Sequence, residues 1–100
     1  MIEVHRESGP GEMVLRVKGE LDLDSSGALQ SEIQAALKTA KLLKVDLNEV
    51  GYVDSSGIAV LIAGTKLARK TAARIVLKSP SPQLLAVLEL SQLKDFFAIE

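Results

Sequence analysis

Along the second stretch of the chain Met13, Leu15 and Val17 alternate with Val14, Arg16 and Lys18. This is the period-two repeat of a strand with one better-buried face, and it predicts a strand over Glu12 to Glu20. Ile2 to Glu7 reads as an earlier strand, joined to it as a hairpin through the turn cluster Gly9-Pro10-Gly11. After Glu20-Leu21-Asp22-Leu23 leaves the sheet, the period changes. Leu29, Ile33, Ala36, Leu37 and Ala40 recur on one helical face, with Gln30, Glu32, Gln34 and Lys38 on the wet side. A helix capped by Asp24 or Ser25 and reaching about Ala40 follows from that spacing. Leu43, Val45 and Leu47 alternate in a third strand, and Asn48 to Asp54 reads as an irregular connection. A second helix is predicted from Ser55 or Ser56 to about Lys70, with Lys66, Arg69 and Lys70 near its C-terminal end, where they complement the helix dipole. Arg74 to Lys78 forms a fourth strand around Ile75, Val76 and Leu77. Ser81-Pro82 supplies an N-cap followed by proline at the first position of a third helix reaching about Ser91. Leu93, Phe96, Phe97 and Ile99 close the chain as a short helix or an edge strand.

The order strand-strand-helix-strand-helix-strand-helix predicts one α/β domain over residues 1–100, a mixed sheet of four or five strands covered by helices. Composition agrees: apolar residues make up 47% and charged residues 25% of the 100 residues. A folded chain of this size buries roughly 65% of the surface its unfolded form exposes, enough for one core. Formal charge is −1 with the signs interspersed, which argues against direct phosphate-backbone binding to nucleic acid. There are no cysteines and one histidine, His5, so thiolate and multi-histidine metal sites are excluded, and no cofactor motif is present. Met1 to Arg6 lacks a secretion signal's basic and apolar regions. The apolar run Ile58 to Gly64 is far short of the roughly 20 residues that span a bilayer, so a cytoplasmic location is expected.

Candidate chemistry concentrates in Asp46-Leu47-Asn48-Glu49-Val50-Gly51-Tyr52-Val53-Asp54-Ser55-Ser56-Gly57-Ile58, where two hydroxyls stand between an acid and a glycine at a loop-to-helix junction. Local chemistry alone explains this as helix capping, because Ser and Asp oxygens accept bonds from unpaired N-terminal amides. Two features add to that reading. The helix opens Gly57-Ile58-Ala59-Val60-Leu61-Ile62-Ala63-Gly64, apolar around nearly its whole circumference. Either its first half is deeply buried or part of it meets a partner.

The second feature is a resemblance. Gly19-Glu20-Leu21-Asp22, the strand end Asp46-Leu47, and Tyr52-Val53-Asp54-Ser55-Ser56-Gly57 together resemble the STAS-domain family, particularly bacterial anti-sigma-factor antagonists. Leu90-Ser91-Gln92-Leu93-Lys94-Asp95-Phe96-Phe97 is similar to the family's closing segment, so the likeness covers nearly the whole chain. The resemblance implies that Ser55 is a phosphoacceptor, and that Asp22, Asp54, Ser56 and Gly57, with Ile58 and Leu61 of the apolar helix, meet a partner. It also implies a switching cycle. The unmodified protein would bind a kinase-type anti-sigma factor, a serine kinase, and release a sigma factor. Phosphorylation would break that complex, and a PP2C-type phosphatase would reset it. Asn48-Glu49 varies freely in such sequences and identifies no partner.

Enzyme readings lack their parts. A serine hydrolase needs a histidine near its nucleophile and a Gly-x-Ser-x-Gly elbow, and an ATP-using enzyme needs a phosphate-binding loop; neither motif occurs. The chain reads as a non-catalytic kinase substrate. The alternative is a constitutive STAS interaction subunit of a bacterial lipid-transport ABC ATPase, using the same helix face without phosphorylation. His5 reads as a surface or packing residue, and Ser25-Ser26 as a helix-start cap. Lys66, Arg69, Lys70 and Arg74 read as a solvated helix end that an acidic partner surface could use.

Overall fold

A computed structural model describes residues Met1–Glu100. Strands β1 (Ile2–Gly9) and β2 (Glu12–Leu21) form the expected hairpin, followed by α1 (Leu23–Leu37), β3 (Leu42–Val53), α2 (Ser55–Lys70), β4 (Arg74–Lys78) and α3 (Pro82–Leu90). The sheet order is β1-β2-β3-β4. β1 and β2 are antiparallel, whereas β2 with β3 and β3 with β4 are parallel, so the sheet is mixed as expected. Ile99 adds an isolated parallel bridge to Leu77, while Leu93 to Phe97 run through turns, so the closing segment is neither a helix nor a full edge strand and touches the sheet only at its end.

α1 and α2 pack against each other on one face of the sheet, the placement that right-handed connections between successive parallel neighbours produce. Leu15, Val17, Leu43, Val45, Leu47 and Leu77 lie beneath them, each at most 2% exposed. From above, Leu29, Ile33, Ala36 and Leu37 close the core, as the helical spacing predicts. Gly64 lets the two helices approach closely: a Cβ there would lie 3.1 Å from Ile33 Cγ2. The opposite face carries polar residues in register, His5 beside Arg16, Arg16 beside Asp46, and Asp46 beside Lys78.

Two boundaries differ from expectation. Asn48 to Asp54 is no irregular connection: β3 continues to Val53. Its pairing with β2 shifts twice, between Arg16 and Lys18 and between Gly19 and Glu20. Each shift inserts an extra residue on β3, which is a bulge. Buried positions therefore step from Leu47 to Val50 to Val53 at a spacing that no strict alternation contains. α1 also starts earlier than expected. Its N-cap is Asp22, not Asp24 or Ser25, because the Asp22 carboxylate accepts the Ser25 amide at 3.1 Å while the Ser25 hydroxyl accepts the Asp22 amide at 3.0 Å. That reciprocal capping box satisfies two otherwise unpaired donors. α3 begins as predicted, with Ser81 Oγ accepting the Leu84 amide at 3.3 Å and Pro82 at the first helical position.

Candidate functional site

Parallel strands present their C-terminal ends together, and each is followed by a helix N-terminus, so capping residues of different helices gather on one rim. Leu21 at the end of β2 is in register with Val53 at the end of β3, and the Asp54 amide donates to the Leu21 carbonyl at 3.1 Å. The loop carrying Asp22 and the loop carrying Asp54 and Ser55 are thus neighbours. Asp54 is the N-cap of α2: its Oδ1 accepts the Ser56 amide at 2.8 Å and the Gly57 amide at 3.2 Å. The expected start of α2 at Ser55 is what the structure has, but the capping oxygen comes from Asp54.

That division leaves the Ser55 hydroxyl outside the cap. Ser55 occupies the first turn of α2 as an exposed residue, between the half-buried Asp54 and Ser56. Gly57 is buried because α2 comes down onto the end of β2; a Cβ there would lie 2.6 Å from Leu21 Cγ and 2.9 Å from the Leu21 carbonyl oxygen. A side chain at this position would push the helix, and Ser55 with it, off the sheet.

The all-round apolar start of α2 resolves into two sets. Val60 and Leu61 point into the core, and Leu61 is 0% exposed. Of the residues expected to meet a partner, Leu61 is therefore a core residue, and Gly57 offers a close backbone approach but no surface. Ile58 is 8% exposed and lines a groove. This groove, of about 290 Å³, is lined by Val53, Ser55, Ile58, Ala59 and Ile62 from the α2 side and by Val87 and Ser91 from α3. The lining includes the Asp54 carboxylate and no Lys or Arg. The sequence reading missed the α3 contribution, since only the tertiary fold brings Val87 beside Ile58. Exposed apolar surface continues on the same rim at Tyr52 and Leu23, which are 55% and 74% exposed.

Asp22 holds its charge more firmly than a free aspartate. Its hydrogen bond with the Ser25 side chain lowers its pKa below the usual value, against a smaller opposing effect of desolvation. Ser25 is buried and its one hydroxyl proton is shared between the Asp22 carboxylate, with Oδ1 at 3.0 Å, and the Glu20 carbonyl at 2.7 Å. It belongs to the capping box that ties the end of β2 to α1.

A mixed sheet with helices packed on one face, and an acid-serine-serine-glycine rim at the start of α2, define a small α/β domain of one recognisable class. The chain belongs to the STAS-domain family: the family model described as "Mlab, STAS domain" matches residues 4–99. Among curated proteins it is similar to the anti-sigma-B factor antagonist of Bacillus subtilis (strain 168), with 24% identity over 98 residues, covering 98% of this chain and 90% of that protein. Its fold is that of the anti-sigma factor antagonist SpoIIAA in its unphosphorylated form, with a TM-score of 0.80 and 20% identity over 100% of this chain and 88% of that one. The Bacillus cell fate determinant SpoIIAA in the phosphorylated form superposes with a TM-score of 0.75 and 20% identity, covering 100% and 91% of the two chains. No helix is long and apolar enough to cross a membrane.

Proposed function

We propose that this chain is a phosphorylation-controlled, non-catalytic antagonist of an anti-sigma factor, acting in the cytoplasm. In its unmodified form it binds a kinase-type anti-sigma factor through the rim around Ser55 and so frees a sigma factor. The partner, a serine kinase, phosphorylates Ser55 and dissociates, and a PP2C-type phosphatase restores the binding form. Asp22, Asp54, Ser56 and Ile58 border the contact, and Gly57 lets α2 sit where Ser55 is reachable.

The observation that carries this reading is the exposed Ser55 at the edge of a mainly apolar groove in which Asp54 is the one charged lining residue. Phosphate adds a charge of about −1.5 to −2 at pH 7, and a helix N-terminus accommodates it in the free protein. Within a closing interface it meets Asp54, finds no cation in the groove lining, and loses water. A penalty of about 2.8 kcal/mol lowers affinity a hundredfold. The names of the similar proteins, and a protein of this fold solved in both unphosphorylated and phosphorylated forms, support the same reading.

Affinity capture from the native cytoplasm, followed by identification of the bound ATPase, tests the proposal. A soluble serine kinase recovered by the unmodified protein and lost after phosphorylation is the expected result. Recovery of a membrane lipid-transport ATPase, indifferent to Ser55, would replace the switch with the constitutive-subunit reading.

A further inference from the structure

The opposite end of the molecule carries a second feature with no part in the Ser55 rim. α1 and α2 both end there, and the last turn of α2 holds Arg69 and Lys70, with Lys66 one turn earlier. Lys38 is the C-cap of α1, and the Lys41 carbonyl accepts the Arg74 amide at 2.8 Å, bringing Lys41 and Arg74 to the same end. All six side chains are exposed, and none of the ion pairs in the fold uses any of them. Asp95, close in sequence to Arg69's neighbour Phe96, makes no ion pair either, and Glu12 is the partner of Lys44 at 3.9 Å. Cations at helix C-termini complement the dipole, which explains Lys38, Arg69 and Lys70 but neither Lys41 nor Arg74.

Between the two arginines lies a recess of about 170 Å³, with Ala68, Ala73 and Ile75 among its walls. Arg69 is held in place: its guanidinium stacks 4.8 Å from the centre of the Phe96 ring, and Nη2 donates to the Phe96 carbonyl at 3.2 Å. Only part of the guanidinium's donor set is used by that bond. Arg74 flanks the recess from the start of β4. Two guanidiniums around a small, mainly apolar recess, without a carboxylate partner, suit an anionic group that can accept from planar N–H pairs.

We propose that this recess binds a carboxylate of an acidic segment of a partner protein, with Lys38, Lys41, Lys66 and Lys70 contacting the flanking acids. Two arginines line the recess and four lysines lie at the same end of the fold, a spread that fits several carboxylates on a chain better than a single ion. A membrane surface fits less well, because interfacial binding draws on exposed Trp, Phe or Leu, and the strongly exposed large apolar side chains of this fold are Met1, Leu23, Tyr52 and Leu90, none on the C-terminal turn of α2. The chain's net charge of −1 conceals this segregation: the Ser55 rim carries Glu20, Asp22, Asp24 and Asp54, none in an ion pair. The 16 residues of α2 separate the two ends by about 24 Å at 1.5 Å per residue, so both can be occupied at once and the recess works regardless of the state of Ser55.

Fluorescence anisotropy with a labelled oligo-glutamate peptide at low salt tests this on the full chain. The peptide should bind, and weaken with added salt. Arg69→Gln and Arg74→Gln should each lower affinity about tenfold or more, while Lys18→Gln, which removes a cation elsewhere, leaves it unchanged. Phosphorylated and unmodified protein should bind the peptide alike. If Arg69→Gln loosens the fold through Phe96, seen as a lower Tm, Arg74→Gln carries the comparison. Absence of peptide binding, equal losses from Lys18→Gln and Arg74→Gln, or tighter Arg74-dependent binding to phosphatidylserine vesicles than to peptide would each overturn the proposal.

Discussion

Asp54 and Ser55 stand side by side and do different work, a separation that capping preferences alone do not draw. Asp54 supplies the oxygen that accepts two backbone amides, while the Ser55 side chain is exposed beyond the cap. Asp54→Ala should therefore cost about 1 kcal/mol, within the 0.5–2 kcal/mol range for lost N-caps, and lower the urea midpoint without changing the slope. Ser55→Ala should change stability by no more than about 0.5 kcal/mol, as a surface substitution does. Under the proposed function it should also abolish phosphorylation by the cognate kinase, read by intact mass; phosphate retained on Ser56 would move the acceptor. Asp22 adds a pH signature. Because its pKa is lowered in the folded chain, chiefly by the Ser25 side chain, it stabilises the fold above its unfolded value of about 3.9, and this contribution disappears as pH falls through the lower folded value. Between about pH 5 and pH 2.5, wild-type protein should lose urea resistance more steeply than Asp22→Asn, whose side chain still caps but does not titrate. Parallel curves would show that the Asp22–Ser25 bond does not contribute as described.

Helices and regular strands were legible because their periods are local: Leu29, Ile33, Ala36 and Leu37 lie on one helical face and are buried there. The second half of β3 was not. Its two bulges move buried residues from every second position to every third, and bulges are a property of pairing with β2 that no single strand displays. The start of α1 was misplaced by two or three residues because Asp22, Asp24 and Ser25 are all good caps, and the β2 end at Leu21 decides among them. Of the candidate site, the helix start at Ser55 was legible from the capping residues, whereas the burial of Leu61 in the core and the approach of Val87 from α3 depend on tertiary packing. Two helix glycines turn this into a test. Gly57 has Leu21 and Val53 against its missing Cβ, at 2.6 and 2.8 Å, while Gly27 in α1 has nothing within 4 Å. Gly57→Ala should destabilise by about 1–3 kcal/mol through overpacking, and Gly27→Ala should stabilise by about 0.5–1 kcal/mol through helix propensity. Similar effects at both sites, in thermal or urea unfolding, would show that α2 does not rest on β2 as closely as the structure has it.

At the scale of the whole molecule the parallel strands act as an aligning device. Their C-terminal ends bring two capped helix starts to one rim, and the groove between α2 and α3 opens beside Ser55. Because α2 sits directly on the end of β2 at Gly57, the proposed function expects a charge added at Ser55 to change the surface more than the fold. Under the proposed function, isothermal titration calorimetry of the proposed kinase-type partner with three forms of the protein is the direct test. Unmodified protein should bind most tightly, Ser55→Asp at least tenfold more weakly, and phosphorylated Ser55 more weakly still, because an aspartate carries about one charge and phosphate about −1.5 to −2. Backbone amide shifts should stay local to the start of α2. Equal affinities of the three forms, or a rearranged backbone on phosphorylation, would contradict a switch that works by local charge.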